Sequence, residues 1–137
     1  MTALEQSIHE IIRRNGFTVY NHMELELAEP DHTVFRMEIR PDNTNSYGMV
    51  HGGALYALAD NATGSAVHTD GQSYVTQTGT LHFLSNQSQG VIRAEARVRR
   101  RGRRTVLAAV DITGEGGKLL AAGEFLYYRI NEEAPGV

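Results

Sequence analysis

Residues 45–67 read NSYGMVHGGALYALADNATGSAV, and the rest of the fold can be worked out from the element they form. From Gly52 onward it is rich in alanine, is long enough for four helical turns, and carries a single charge, at Asp60. A helix that is apolar or small on nearly every side is typical of a buried position. The stretch therefore predicts a buried helix over residues 52–67.

The segments on both sides of this helix show the two-residue period of β-strands. Before it, apolar residues alternate with charged ones at 23–27 and 35–39, and the Pro30-Asp31 turn between them predicts a hairpin. Four strand-like segments follow the helix, at residues 74–84, 91–99, 104–113 and 118–130. Glycine-containing turns join the last three, which predicts a three-strand meander.

The first residues of the chain have a helical period instead. Apolar side chains recur on one face of residues 2–15, Thr2 and Glu5 form a capping-box pattern, and Asn15-Gly16 is a stop signal. A long antiparallel sheet must bury its apolar face, and the 52–67 helix is the one segment long enough to cover it. We therefore expect an α+β fold in which a curved antiparallel sheet wraps around one long central helix.

Length and composition set the broad class of protein. The 137 residues suit one domain, which we expect to span residues 1–137. The absence of cysteine excludes disulfides, thiolate metal sites and cysteine nucleophiles, and the histidines lack metal-ligand spacing, so we expect no metal site. No apolar run reaches the roughly 20 residues of a membrane span, and no signal-peptide pattern is present. We expect a cytoplasmic protein with no membrane partner.

Asp60 is the strongest candidate for chemistry. Burying a carboxylate in an apolar helix costs several kcal/mol unless the group is paired or lines a cavity. No basic residue lies three or four positions away to pair with it. A structural explanation is equally compatible with the sequence, since Asp60 could face solvent or accept a hydrogen bond from the backbone of another strand.

The Gly52-Gly53 pair at the start of the same helix provides a second candidate. Glycines there leave the free N–H groups open to a ligand, and the helix dipole favours an oxyanion or a phosphate, although such a pair is often only a tight turn. Gly52 and Asp60 are eight residues, or roughly 12 Å, apart along one helix, whereas a reacting carbon must lie about 3 Å from both. If both residues act, a two-fold dimer must bring Asp60 of one chain beside Gly52 of the other.

The sequence from Asn45 to Asp60 has the pattern N-x-x-G-x-x-H-G-G with an aspartate seven residues later, and it resembles the hot-dog-fold acyl-CoA thioesterases of the PaaI type. The resemblance extends over residues 15–130 and implies dimers that often pair into tetramers. It implies that Asp60 is the nucleophile or the base that activates water, and that the Gly52 N–H polarises the thioester carbonyl. Asn45 would position the water or the thioester, and Thr76 stands where the family often has a Ser or Thr that orients the water.

Five other residues near this motif are candidates for supporting or binding roles. His51 could touch the thioester, but a histidine at a helix start more often packs or caps locally, so we expect a supporting role. Gly53 belongs to the open helix start, and Tyr47, Tyr56 and Asn61 lie near enough in sequence to contact the substrate.

An arginine-rich segment carries most of the positive charge. The formal net charge is −3, but residues 91–104 hold seven arginines against Glu95 and carry +6, so the rest of the chain carries −9. Such a run can be a solvated hairpin tip, a nucleic-acid arm or a site for the phosphates of coenzyme A. The lack of interleaved aromatic residues and the acidic remainder argue against nucleic acid. We expect coenzyme A contacts chiefly from Arg103 and Arg104, with Arg99 and Arg100 as further candidates.

The resemblance implies an acyl-CoA thioesterase that hydrolyses an aromatic or medium-chain acyl-CoA to the free acid and coenzyme A, without a metal or redox cofactor. One alternative is a non-catalytic hot-dog module that binds or senses an acyl-CoA, which has no need for a carboxylate at the thioester. Another is a hydratase or dehydratase, which would require an Asp–His pair at a different spacing.

Overall fold

The computed structural model describes residues 1–130, which form three α-helices and one six-stranded antiparallel sheet. The helices are α1 (Ala3–Arg13), α2 (Gly16–Tyr20) and α3 (Gly52–Val67). The strands are β1 (Met23–Glu29), β2 (His32–Glu38), β3 (Ser73–Phe83), β4 (Val91–Arg101), β5 (Thr105–Thr113) and β6 (Leu119–Ile130). One sheet packed on one long helix confirms the predicted α+β fold. Residues 131–137 of the expected domain lie outside the described residues.

Helix α3 has the predicted bounds and packs against the apolar face of the sheet. Its buried apolar residues are Leu55, Leu58, Ala59, Ala62, Ala66 and Val67. The other side of the helix is open, because Tyr56 is exposed and Asp60 is half-buried. The prediction of a helix buried on nearly every side is therefore wrong for this face, on which the small residues leave room for a cleft.

The strand order in the sheet is β1-β2-β4-β5-β6-β3. The predicted β1–β2 hairpin and the β4–β5–β6 meander are both present, and every pairing is antiparallel. Strand β3 pairs with β6 and forms one edge of the sheet. This pairing sets Thr76 directly opposite Tyr127, so both side chains project from the same face at neighbouring positions.

The N-terminal segment contains one helix more than the sequence predicts. Helix α1 begins after Thr2 with the expected capping box to Glu5. Helix α1 ends near Asn15, as predicted. Asn15 then caps a new helix, since its Oδ1 accepts a hydrogen bond from the Thr18 N–H at 3.2 Å. None of the helices in residues 1–130 is long and apolar enough to cross a membrane.

Candidate active site

A cleft of about 260 Å³ lies beside Asp60, between helix α1, helix α3 and strands β3 and β6. Its polar lining includes the carboxylate of Asp60 and the hydroxyls of Thr76 and Tyr127. Isoleucines of α1 line its apolar part. Asp60 is thus half-buried at a cavity and not enclosed in the core, which removes most of the cost expected for a buried carboxylate.

Two hydroxyl groups hold one oxygen of the Asp60 carboxylate. Thr76 Oγ1 donates to Oδ1 at 2.8 Å, and the Tyr127 hydroxyl donates to the same oxygen at 2.6 Å. Hydrogen bonds to a charged acceptor are short and strong, so this pair fixes the orientation of the side chain. The other oxygen, Oδ2, has no hydrogen-bond partner among residues 1–130 and remains available to a ligand or water.

Tyr127 is a component of the site that sequence reasoning missed. The side chain is 2% exposed, and its hydroxyl also lies 2.7 Å from the Asp60 carbonyl oxygen and 2.7 Å from Thr63 Oγ1. Gly64 allows this approach, because a Cβ there would lie 3.2 Å from the tyrosine hydroxyl. Burial, followed by the negative charge of Asp60, raises the pKa of Tyr127 well above its usual value, so the phenol stays protonated and can donate.

A signal for Tyr127 was present in the sequence. It lies two residues after Phe125, so the period of the strand places both on the inner face, where a tyrosine hydroxyl needs a partner. The identity of that partner depends on the pairing of β3 with β6, which joins segments about 50 residues apart and which local patterns do not reveal.

The N-terminal end of α3 has one free and one occupied glycine N–H. His51 caps the helix, with its Nδ1 accepting from the Gly53 N–H at 2.8 Å. The Gly52 N–H, in contrast, has no acceptor within residues 1–130. The ring of Phe83 packs nearby, 3.6 Å from the position that a Cβ on Gly52 would take. Within residues 1–130, Gly52 therefore keeps a free backbone N–H, whereas His51 occupies that of Gly53 by capping the helix.

The side-chain oxygen of Asn45 stabilises the loop that precedes this helix. Its Oδ1 accepts from the backbone N–H groups of Tyr47, at 2.9 Å, and Met49, at 3.1 Å. The amide nitrogen, Nδ2, has no partner in the part of the chain that the structure describes. Tyr47 itself is 85% exposed and makes no contact with the Asp60 cleft. Within residues 1–130, the Nδ2 group of Asn45 is thus free to donate a hydrogen bond.

Tyr56 and Asn61, both predicted substrate contacts, have internal hydrogen-bond partners in this chain. The Tyr56 hydroxyl donates to the Gly79 carbonyl oxygen at 3.3 Å, while its ring packs on Phe125. Asn61 lines the cleft, but its Oδ1 accepts from the Thr18 hydroxyl at 2.9 Å and its Nδ2 points to the Met23 sulfur. Both residues therefore link neighbouring elements, and their contact with a substrate stays a prediction.

The arginines of the β4–β5 turn separate into paired and unpaired groups. Arg99 forms an ion pair with Glu124 on β6, and Arg101 bonds to Asp31 and Asp70 at 2.7 Å each. Of the arginines at positions 99–104, those without a carboxylate partner within residues 1–130 are Arg100, Arg103 and Arg104. Arg99 thus differs from Arg100, Arg103 and Arg104 in having a carboxylate partner, and its phosphate contact stays a prediction.

The predicted site residues lie in three separate places in one chain. Asp60 and Thr76 share the cleft, Asn45 and Gly52 lie near the start of α3, and the unpaired arginines lie in the turn held near the end of α3 through Asp70. Along α3, Gly52 and Asp60 are separated by two turns, about 12 Å. A group of three or more His, Asp or Glu side chains that could hold a metal ion is absent from the described residues.

Comparisons with known proteins identify the family of this chain. The sequence profile described as "Thioesterase superfamily" matches residues 47–121. Acyl-coenzyme A thioesterase 13 of Homo sapiens is 30% identical over 132 residues, covering 90% of this chain and 94% of the human protein. Acyl-coenzyme A thioesterase PaaI of Escherichia coli K12 is 29% identical over 132 residues, covering 96% of this chain and 94% of that protein.

A solved structure shares the fold. The E. coli PaaI protein from the phenylacetic acid degradation operon superimposes with a TM-score of 0.89 at 24% identity, over 93% of this chain and 94% of that chain. The match of the superfamily profile to more than half of the sequence, together with the whole-length relatives, establishes the family. The chain belongs to the thioesterase superfamily and is a hot-dog thioesterase of the PaaI type.

Proposed function

We propose that the protein hydrolyses acyl-CoA thioesters to the free acid and coenzyme A, with Asp60 as the residue that starts the reaction. The observation that carries the proposal is the asymmetric environment of the Asp60 carboxylate: Thr76 and Tyr127 hold Oδ1, and Oδ2 has no internal partner beside an open cleft. The acyl-coenzyme A thioesterase names of the human and E. coli relatives support the substrate class.

Asp60 can act from Oδ2 in either of two ways. As a general base it takes a proton from water, the water oxygen bonds to the thioester carbon, and the carbon–sulfur bond then breaks to release the thiolate. As a nucleophile it bonds to that carbon itself, expels the thiolate and forms a mixed anhydride, which water hydrolyses to the acid and free Asp60. In both routes the thiolate leaves as coenzyme A after taking up a proton.

The oxyanion that forms in either route requires a hydrogen-bond donor. The Gly52 N–H is suited to this because it lies at the positive end of the α3 dipole and has no acceptor within residues 1–130. One chain holds Gly52 about 12 Å from Asp60, so the proposed site takes Gly52 from a second copy. The free amide of Asn45 would come from that second copy as well, beside its Gly52.

A homodimer is the assembly that this site requires. Strand β3 forms an edge of the sheet in the described residues and is 11 residues long. It ends at the exposed Phe83, and the exposed Leu84 follows it. A long edge of this kind offers unpaired backbone groups to another strand. Pairing of two β3 edges about a two-fold axis would set the two α3 helices antiparallel and create two equivalent sites. A homotetramer would form from two such dimers.

The phosphates of coenzyme A would bind the arginines of the β4–β5 turn. Arg103 and Arg104 have no carboxylate partner within residues 1–130, and guanidinium groups form forked hydrogen bonds with phosphate. Arg100 can join them for the same reason. The acyl group is proposed to be aromatic or of medium length, and no metal or redox cofactor takes part.

Thiol release from a panel of acyl-CoAs tests the proposal directly. The protein has no cysteine, so a thiol-reactive chromophore reports only the coenzyme A product. We expect Asp60→Asn to lower kcat by at least about 100-fold. The matched control, Asp111→Asn, changes an exposed aspartate on β5 and should retain the wild-type rate.

Two results would contradict the proposal. Full activity of Asp60→Asn would exclude Asp60 from the chemistry. Tight binding of acyl-CoAs by the wild-type protein without any thiol release would instead identify a binding or sensing module.

A further inference from the structure

Helix α1 supplies the apolar lining of the Asp60 cleft. Ile8, Ile11 and Ile12 are spaced i, i+3 and i+4, so they lie on one face of the helix, and all three line the cleft. Val75 lines it from β3, next to Thr76. The cleft is therefore polar where the carboxylate lies and apolar where α1 covers it.

The position of α1 is fixed by several contacts. Ile8 is 1% exposed and anchors the helix in the fold. Glu5 Oε2 accepts a hydrogen bond from the Ala28 N–H on β1, at 3.4 Å. The following helix α2 is joined to α3 through the bond between Thr18 and Asn61. The apolar wall is thus a built part of the molecule and lies at a defined place relative to Asp60.

Ile11 differs from its neighbours because it lines the cleft and yet remains 37% exposed. An isoleucine in this state loses contact with water when an apolar ligand fills the cleft. The cleft volume is about 260 Å³, compared with the ~150 Å³ cavity that is known to hold benzene. The space suits an aromatic ring with a short linker or an unbranched chain of medium length.

We propose that the isoleucine face of α1 binds the apolar part of the acyl group and sets the length that the enzyme accepts, with Ile11 as the main specificity-determining residue. This inference rests on the proposed function, because the carbonyl carbon must lie at Asp60 for the acyl group to extend along α1. Each methylene that α1 shields from water raises affinity about fourfold until the chain outgrows the cleft.

The experiment compares Ile11→Ala and Ile11→Phe with the wild-type protein across butanoyl-, octanoyl- and dodecanoyl-CoA. Ile11→Ala lengthens the cleft, so the ratio of kcat/KM for dodecanoyl to octanoyl should rise about tenfold. Ile11→Phe shortens it, so octanoyl hydrolysis should fall about tenfold while butanoyl hydrolysis is retained. Gln6→Ala, an exposed position on α1 outside the cleft lining, is the control and should keep the wild-type profile.

A second measurement separates the pocket from the chemistry. S-butyl-, S-octyl- and S-dodecyl-CoA are thioethers that cannot be hydrolysed, and calorimetry gives their dissociation constants for each variant. We expect the same reordering of chain lengths in these constants as in hydrolysis.

The outcomes distinguish this inference from the proposed function. Unchanged chain-length profiles in both Ile11 variants, with thiol release intact, would overturn the role of α1 and leave the thioesterase proposal standing. If no ester releases thiol but the thioether dissociation constants still change with chain length in the Ile11 variants, the proposal of hydrolysis is overturned and the acyl-binding role of α1 is supported. Failure of the wild-type protein to bind any thioether would overturn the pocket.

Discussion

The two oxygens of the Asp60 carboxylate have different surroundings, and this difference gives each a different role. Oδ1 accepts from Thr76 and Tyr127, so it anchors the group, whereas Oδ2 meets the cleft. The family resemblance implies that Thr76 orients the attacking water. In the structure, the Thr76 hydroxyl donates its hydrogen bond to Asp60. A hydroxyl that donates to the carboxylate can still accept a hydrogen bond from water, so both roles are compatible.

Tyr127→Phe tests whether the anchoring of Oδ1 matters for turnover. The change keeps the ring in the core and removes one charge-assisted hydrogen bond, so we expect kcat to fall about tenfold with KM close to wild type. Steady-state thiol release measures both constants. Tyr128→Phe, at an exposed neighbouring position, is the control and should leave both unchanged. A rise in KM alone would show that Tyr127 acts on substrate binding and does not position Asp60.

Gly52→Pro tests the backbone N–H as the oxyanion donor. Gly52 is the first residue of α3, a position at which proline is favoured, and His51 before it has the extended conformation that proline requires. The change should remove the N–H with little effect on the helix and lower kcat by about 10²–10³-fold. Gly52→Ala adds a similar carbon at ordinary contact distance from Phe83 but keeps the N–H, so it should remain active. Equal losses in both variants would indicate a steric effect.

At the scale of single elements, the β4–β5 turn concentrates unpaired positive charge. Four of the seven arginines in residues 91–104 have carboxylate partners: Arg93, Arg97, Arg99 and Arg101. The sequence shows the accumulation of arginines but not this division, because the partners come from distant segments such as Glu26 and Glu124. Because Arg103 and Arg104 lack carboxylate partners within residues 1–130, we propose them as the phosphate contacts.

The double variant Arg103→Ala/Arg104→Ala tests that assignment. Loss of two charge-assisted contacts should raise KM for acyl-CoAs about tenfold and leave kcat nearly unchanged. The matched control is Arg93→Ala/Arg97→Ala, which removes the same net charge from paired positions on β4 and should alter KM far less. An unchanged KM in the first variant would mark the turn as a solvated hairpin tip.

Elements with a strong local pattern could be predicted from the sequence, and those that depend on distant partners could not. Helix α3 follows from an alanine-rich run with a single charge, and the β1–β2 hairpin follows from alternation around Pro30-Asp31. Helix α2 was missed because its five residues are too few to show a helical period. In the site, Asp60 was visible as the one charge on an apolar helix, whereas its contact with Tyr127 required the β3–β6 pairing.

At the scale of the whole molecule, the proposed active site is incomplete in one chain. Asp60 and Gly52 lie two turns apart on the same rigid helix, so no side-chain rotation can bring them together. The β3 edge offers the surface through which a second copy would complete the site. Activity should therefore depend on association of the chains.

Mixed dimers of Asp60→Asn and Gly52→Pro chains test this dependence. Each variant alone has two defective sites, but a mixed dimer has one site that pairs an intact Asp60 with the partner's intact Gly52. We therefore expect about half of the wild-type activity in mixed dimers isolated with two different affinity tags. Mixed dimers without activity would show that each site is built from one chain, and a fully active monomer in sedimentation experiments would overturn the dimer itself.

The placement of α1 over the cleft also bears on how substrate range can evolve in this protein. Asp60 and the proposed oxyanion donor, Gly52, lie on α3, whereas the proposed acyl wall lies on α1. If both assignments hold, mutations in the first fifteen residues would alter which acyl groups are accepted and leave Asp60 and Gly52 in place. Selection could act on specificity and on turnover separately, and duplicated copies of the gene could diverge in substrate through this short segment alone.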